Sequence, residues 1–225
     1  MRLLVHGMQS SGATTFTQVL AQRPGCIALV DIPNNFAAPR VTTRKDFVAK
    51  AVITTAYPLA VHVERFRPDR VVLFLRDPRD NYVSLSTKPY RHHSGLMEEK
   101  FRLLEQLFAQ SDRFDAIIHY EDLVARKPCV SVAMEALGWP VREEHFRFRR
   151  SCDELLRSLW EAEPSLIAEM DAAFGAARGD RMSGRYRREN RNKDSEGKVA
   201  QLCPGLLAHY RIRELSRGED MDAGA

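Results

Sequence analysis

Residues Val71 to Leu75 read VVLFL, five apolar side chains in succession with no polar face to turn toward water. A strand wetted on one side alternates, so an unbroken run of this length is the mark of a strand covered on both sides, as in a parallel sheet. Other segments obey the same logic. Arg2 to His6 is a short buried strand, Cys26 to Ile32 a second that is stopped by the turn formers Pro33-Asn34-Asn35, Phe47 to Thr55 a third rich in Val, Ile and Thr, and Ala116 to Tyr120 a further one. Helical patterns lie between them at Thr14 to Gln22 and Pro58 to Phe66. Asp77-Pro78 opens another, with Asp as cap and Pro at the first position, running through Tyr82 to Lys88. Leu96 to Phe108 is amphipathic, and the remainder reads as helices around a basic loop, Val199 to Leu215 being the last. Strand–helix alternation predicts an α/β three-layer sandwich with a mainly parallel sheet, whose ligands bind at the carboxyl ends of the strands.

The 225 residues suffice for a single domain, 1–225, and are too few for two of ordinary size. Hydrophobic residues at 44% and charged ones at 28% exclude a disordered, collagen-like or coiled-coil chain. No run is long enough for an apolar membrane span, and the opening residues lack the long apolar centre of a signal peptide, so a cytoplasmic location is expected. A net charge of +4 favours an anionic ligand without calling for nucleic acid. The excess is local, with eight basic residues against four acidic ones between Arg178 and Lys198. Cys26, Cys129, Cys152 and Cys203 are too scattered for a metal site and read as free thiols in or near the core. Trp139 and Trp160 are expected in the core, and His62 is expected to face solvent or pack within its helix.

Two segments have the chemistry to hold anions. Gly7-Met8-Gln9-Ser10-Ser11-Gly12-Ala13-Thr14-Thr15 lies between a strand and its helix, where small residues let successive N–H groups point at one anion near a helix N-terminus. The spacing is that of G-x-x-x-x-G-K-[ST], except that Ala13 stands where the nucleotide-hydrolysing proteins have Lys. The second segment is LRDPRDNYVSLS, in which Arg76 ends a buried strand and Ser84 lies in the following helix. Arg supplies a permanently charged planar fork for phosphate oxygens, and its simpler alternative is a surface pairing with Asp77 or Asp80.

Ser11-Gly12-Ala13-Thr14-Thr15 resembles the Ser-Gly-Thr-Thr loop of the sulfotransferases. Leu75 to Asp80 through Ser84 resembles their second motif, and Tyr120-Glu121-Asp122-Leu123 is similar to their Tyr-Glu-Asp segment. Met182 to Arg187 is a fainter likeness of their Gly-x-Trp element. The resemblance implies the P-loop NTPase-like sulfotransferase fold and transfer of a sulfonyl group from 3′-phosphoadenosine 5′-phosphosulfate (PAPS) to an alcohol or amine, without a metal, leaving 3′-phosphoadenosine 5′-phosphate (PAP). It implies that Ser10, Ser11, Gly12, Ala13, Thr14 and Thr15 form the 5′-phosphosulfate loop and that Arg76 and Ser84 hold the 3′-phosphate. Tyr120 then meets the adenine side, and Arg181, Gly184 and Arg185 close over the cofactor. The acceptor, a small molecule or a carbohydrate, falls to Pro33–Lys45 and to Pro89–Met97, a stretch that includes His92 and His93.

The departures from the family pattern bear on catalysis. Ser10 stands where the family usually has Lys or Arg before Ser-Gly, and Ala56 stands where cytosolic members place a His. Asp31 occupies the register in which some carbohydrate and tyrosylprotein sulfotransferases carry a carboxylate base, and is the candidate base here; its alternative role is a turn cap for Pro33-Asn34-Asn35. Lys50 is the candidate replacement for the missing cation. Two other functions stay open, a nucleotide-binding module of this fold that has lost catalysis, and a small-molecule kinase, which Ala13 disfavours.

Overall fold

The computed structural model describes residues 1–32, 36–166, 182, 186, 189 and 191–222. Five strands, β1 (Arg2–Gly7), β2 (Ile27–Leu29), β3 (Phe47–Val52), β4 (Arg70–Leu75) and β5 (Ala116–His119), form one sheet in the order β2-β3-β1-β4-β5. Every pairing is parallel, with Val5 opposite Lys50 and Val72, and Leu75 opposite His119. The α/β architecture with a parallel sheet is therefore as the apolar runs predict.

Helices on both faces supply the two outer layers. Leu3, Val5, Val72 and Phe74 point to one face, where they pack with Phe16 and Leu20 of α1 (Ala13–Ala21), Met134 of α6 (Pro128–Ala136) and the fully buried Trp139. Leu4, Leu73 and Leu75 point to the other. There they meet Phe66 of α2 (Leu59–Phe66), Tyr82 and Leu85 of α3 (Pro78–Ser86), and Phe101 and Leu104 of α4 (Met97–Ala109). Two C-terminal helices, α8 (Lys193–Leu202) and α9 (Pro204–Asp222), cover the same side through Val199, Leu206 and Tyr210. Strand side chains alternate between faces with period two, and both faces are apolar, which is why VVLFL shows no alternation.

Several boundaries differ from the sequence reading. Tyr120 opens α5 (Tyr120–Val124) instead of closing β5, which turns its ring back over the strand ends. The segment expected as one helix over Val199–Leu215 is two, because Pro204 bars its predecessor from helical geometry and Cys203 sits at φ −145°, ψ 66°. Trp160 is 57% exposed: the buried stripe of α7 (Cys152–Ala162) is Leu155 and Leu159, and one further residue rotates Trp160 off it. His62 is buried, and its Nδ1 accepts the Ala38 N–H at 2.9 Å. Cys26 and Cys203 are buried and Cys152 partly so, whereas Cys129 is exposed on α6.

Candidate anion-binding site

The turn after β1 is shaped by two residues with positive φ, Ser10 at 59° and Gly12 at 95°. Ser11 braces it, donating its hydroxyl to the Met8 carbonyl at 2.7 Å and accepting the Ala13 N–H at 3.3 Å. Gly12 must be glycine for a second reason: a Cβ there would lie 2.6 Å from the Tyr120 ring. Three side chains from elsewhere fix the turn's polar groups. Arg76 Nη1 donates to the Ser10 carbonyl at 2.9 Å, Asn81 Nδ2 to the Gln9 carbonyl at 2.7 Å, and Lys100 Nζ to Gln9 Oε1 at 2.7 Å. Ser10 Oγ is buried and has no hydrogen-bond partner among the described residues.

Arg76 leaves the end of β4 and its guanidinium lies 5.0 Å from the centre of the Tyr120 ring. Gly12, Arg76 and Tyr120, each at the carboxyl end of a different strand, thus form one cluster. Burial pushes the Tyr120 phenol upward in pKa and the nearby Arg76 charge only partly offsets it. The alternative surface pairing of Arg76 is not what forms: Asp77 and Asp80 bind other arginines. Ser84, half-buried, lies nearly two turns into α3, where its carbonyl accepts the Thr87 hydroxyl at 2.9 Å.

A cavity of about 270 Å³ opens beside the turn, lined by Ser10, Gly12, Thr14 and Thr15, by Asp31 and Lys50, and by Tyr90 from the loop before α4. Lys50 Nζ lies 2.5 Å from Asp31 Oδ1, with the Lys buried and the Asp half-buried. The two side chains named from sequence as base and cation are therefore partners across β2 and β3 on one wall of the cavity. Arg181, Gly184, Arg185 and Pro33 to Asn35 lie outside the described residues.

The N-terminus of α3 carries a charge network that sequence reasoning missed. Asp77 caps the helix by accepting the Arg79 N–H at 3.0 Å, as predicted, but also binds Arg79 Nη2 at 2.6 Å and Arg191 Nη2 at 3.0 Å. Asp80, fully buried, accepts Arg191 Nε at 2.7 Å, the Tyr186 hydroxyl and the Glu189 N–H at 3.3 Å. Glu189 in turn places Oε1 3.4 Å from Arg76 Nη2. Acids of the second motif thus hold Tyr186, Glu189 and Arg191 at the site. A signal was present, since eight clustered cations need counterions, but nothing local says which acids supply them. Lys100 was also missed. It is fully buried in α4, donates to the Arg91 and His93 carbonyls at 2.9 and 2.8 Å as well as to Gln9, and burial lowers its pKa to about 8.

Among the described residues no cluster of three His, Cys, Asp or Glu side chains is placed to hold a metal, and no helix is long and apolar enough to cross a membrane. No family model matches the chain, and no curated protein matches it in sequence. Among solved structures it is similar to retinol dehydratase in a complex with retinol and PAP, at 14% identity over 92% of this chain and 81% of that one, with a TM-score of 0.46. It is similar to retinol dehydratase in complex with androsterone and the inactive cofactor PAP, at 14% identity over 92% and 80%, with a TM-score of 0.46. A mouse sulfotransferase, SULT7A1, complexed with PAP is 13% identical over 98% of this chain and 82% of that one, with a TM-score of 0.40. These are likenesses of outline alone.

Proposed function

We propose that this chain is a sulfotransferase, passing a sulfonyl group from PAPS to a hydroxyl or amine of a small-molecule or carbohydrate acceptor by in-line displacement without a metal. The observation that carries this reading is the cluster in which Arg76 holds the Ser10 carbonyl and lies over Tyr120, whose ring lies against Gly12. Arg76 and the turn after β1, far apart in sequence, stand next to one another, within the span of a ligand that carries a phosphate at each end. One observation fits such a ligand: Ser10 Oγ is a buried polar atom with no hydrogen-bond partner among the described residues.

In this reading the amides of Ser11 to Thr14 and the hydroxyls of Thr14 and Thr15 hold the 5′ end, and Arg76 with Ser84 holds the 3′-phosphate. Tyr120 flanks the adenine, and Arg181, Gly184 and Arg185 complete the cover. As the acceptor oxygen forms its bond to sulfur and the bond from sulfur to the 5′-phosphate oxygen breaks, the acceptor proton passes to Asp31. Lys50 supplies the positive charge that the turn lacks at Ser10 and Ala13, and steadies the Asp31 carboxylate at 2.5 Å.

Isothermal titration with PAP tests the donor side. Arg76→Ala is expected to weaken binding at least tenfold, about 1.4 kcal/mol, and absence of binding by the unmodified chain overturns the proposal. A second reading, a nucleotide-binding module without turnover, is favoured by Ser10 and Ala56 at positions where the resemblance calls for catalytic groups. Sulfonyl transfer to any acceptor that Asp31→Asn abolishes excludes it.

A further inference from the structure

Arg76 already has an anionic neighbour supplied by the chain itself. The Glu189 carboxylate lies 3.4 Å from Arg76 Nη2, a long contact for an ion pair, and its side chain is 21% exposed against 7% for Arg76. Glu189 and the described residues near it are also held by other means. The Glu189 N–H is on Asp80 Oδ1, the Tyr186 hydroxyl is on Asp80 Oδ2, and Arg191 binds both Asp77 and Asp80. The carboxylate can therefore leave Arg76 by rotating its own side chain, with the Glu189 N–H staying on Asp80.

We infer that Glu189 sets the affinity of the donor site: its carboxylate occupies the place on Arg76 that the ligand's 3′-phosphate takes, and the ligand binds by displacing it. This rests on the reading of Arg76 as a phosphate ligand. A phosphate offers more charge and more acceptor oxygens to the guanidinium fork than one carboxylate does, so it wins the exchange, and a weaker anion does not. Tight binding is thus given up for selectivity toward ligands with a phosphate at this end.

The test titrates the full chain and its variants with PAP and with adenosine 5′-monophosphate, which lacks the 3′-phosphate. Glu189→Gln is expected to bind PAP about tenfold more tightly, about 1.4 kcal/mol, with the monophosphate unchanged. Its thermal midpoint without ligand should stay close to that of the unmodified chain, because the backbone anchors remain, and Glu189→Ala should shift PAP affinity in the same direction. Arg76→Ala decides the underlying reading: if PAP affinity survives it, the assignment of Arg76 falls and this inference with it. If Arg76→Ala weakens PAP while Glu189→Gln leaves PAP affinity unchanged or lower, the donor site stands and the inference alone is overturned. Equal tightening of both nucleotides also overturns it, since that reports only a lost negative charge.

Discussion

His6, the residue before the turn on β1, is almost completely buried, and burial first, then the neighbouring His62 and Lys50, lowers its pKa to about 3. Burial lowers that of His62 to about 4. Both values lie below the 6.5 of an unfolded imidazole, so in acid the unfolded chain takes up protons that the native chain refuses. The stability these residues contribute is complete above about pH 6.5 and is lost as the pH falls toward 4 and then 3. Between about pH 6.5 and 5 each can remove up to about 2 kcal/mol. Urea unfolding at about pH 7 and pH 5 should show a drop in midpoint that His6→Gln roughly halves; an equal drop in both chains would refute the assignment. At the turn, Gly12→Ala has to give up the 95° φ or push aside the Tyr120 ring, and is expected to abolish PAP binding in titration while the sheet stays folded by circular dichroism. Much of this turn was legible in the order of its small residues. His62 was not, because its burial depends on a hydrogen bond from Ala38, in a segment with no periodic pattern.

Among the elements, α3 shows how far local signals reach. Its start was readable, since Asp-Pro sets a cap and a first-turn proline and both occur as expected. Its second task was hidden, because the partners of Asp77 and Asp80 come from Tyr186, Glu189 and Arg191, near the other end of the chain. Burial opposes the charge on Arg191, but its hydrogen bonds to Asp80 and the charge of Asp77 win, so its pKa is raised. Asp80→Ala takes both Asp80 oxygens from Arg191, leaving it Asp77 and Glu214, and is expected to cost about 1.5–3 kcal/mol, read from the urea midpoint. Removing Arg191 as well should cost less than the sum of the single changes, since the two charges bind each other directly. Additive losses would show that the two do not act as a pair.

At the scale of the molecule, apolar runs without alternation specify parallel strands with both faces covered, yet they do not specify which strands adjoin. The order β2-β3-β1-β4-β5 puts β1 in the centre, so chain leaving β1 and β3 turns to opposite sides and the crevice opens over the carboxyl ends. Gly12, Asp31, Arg76 and Tyr120 all sit at such ends, which is why a list of residues read one strand at a time converges on one place. Lys100 ties that crevice to the layer beneath it, since a single ammonium joins α4, the loop carrying Tyr90 and the turn after β1. In sequence it is one of several charges on an amphipathic helix, and only the loop folded over it makes it internal. Burial lowers its pKa from 10.5 to about 8, so between these values the unfolded chain keeps a proton that the native chain has released. Its contribution to stability therefore rises with pH across that interval. Lys100→Met near neutral pH leaves Gln9 Oε1 and two loop carbonyls without their donor, an expected loss of about 1–3 kcal/mol. Measured by urea midpoints from about pH 7 to 10, the gap between the two chains should widen above about pH 8, because every other lysine is common to both and cancels. A constant gap would mean that the ammonium is not buried in the folded chain.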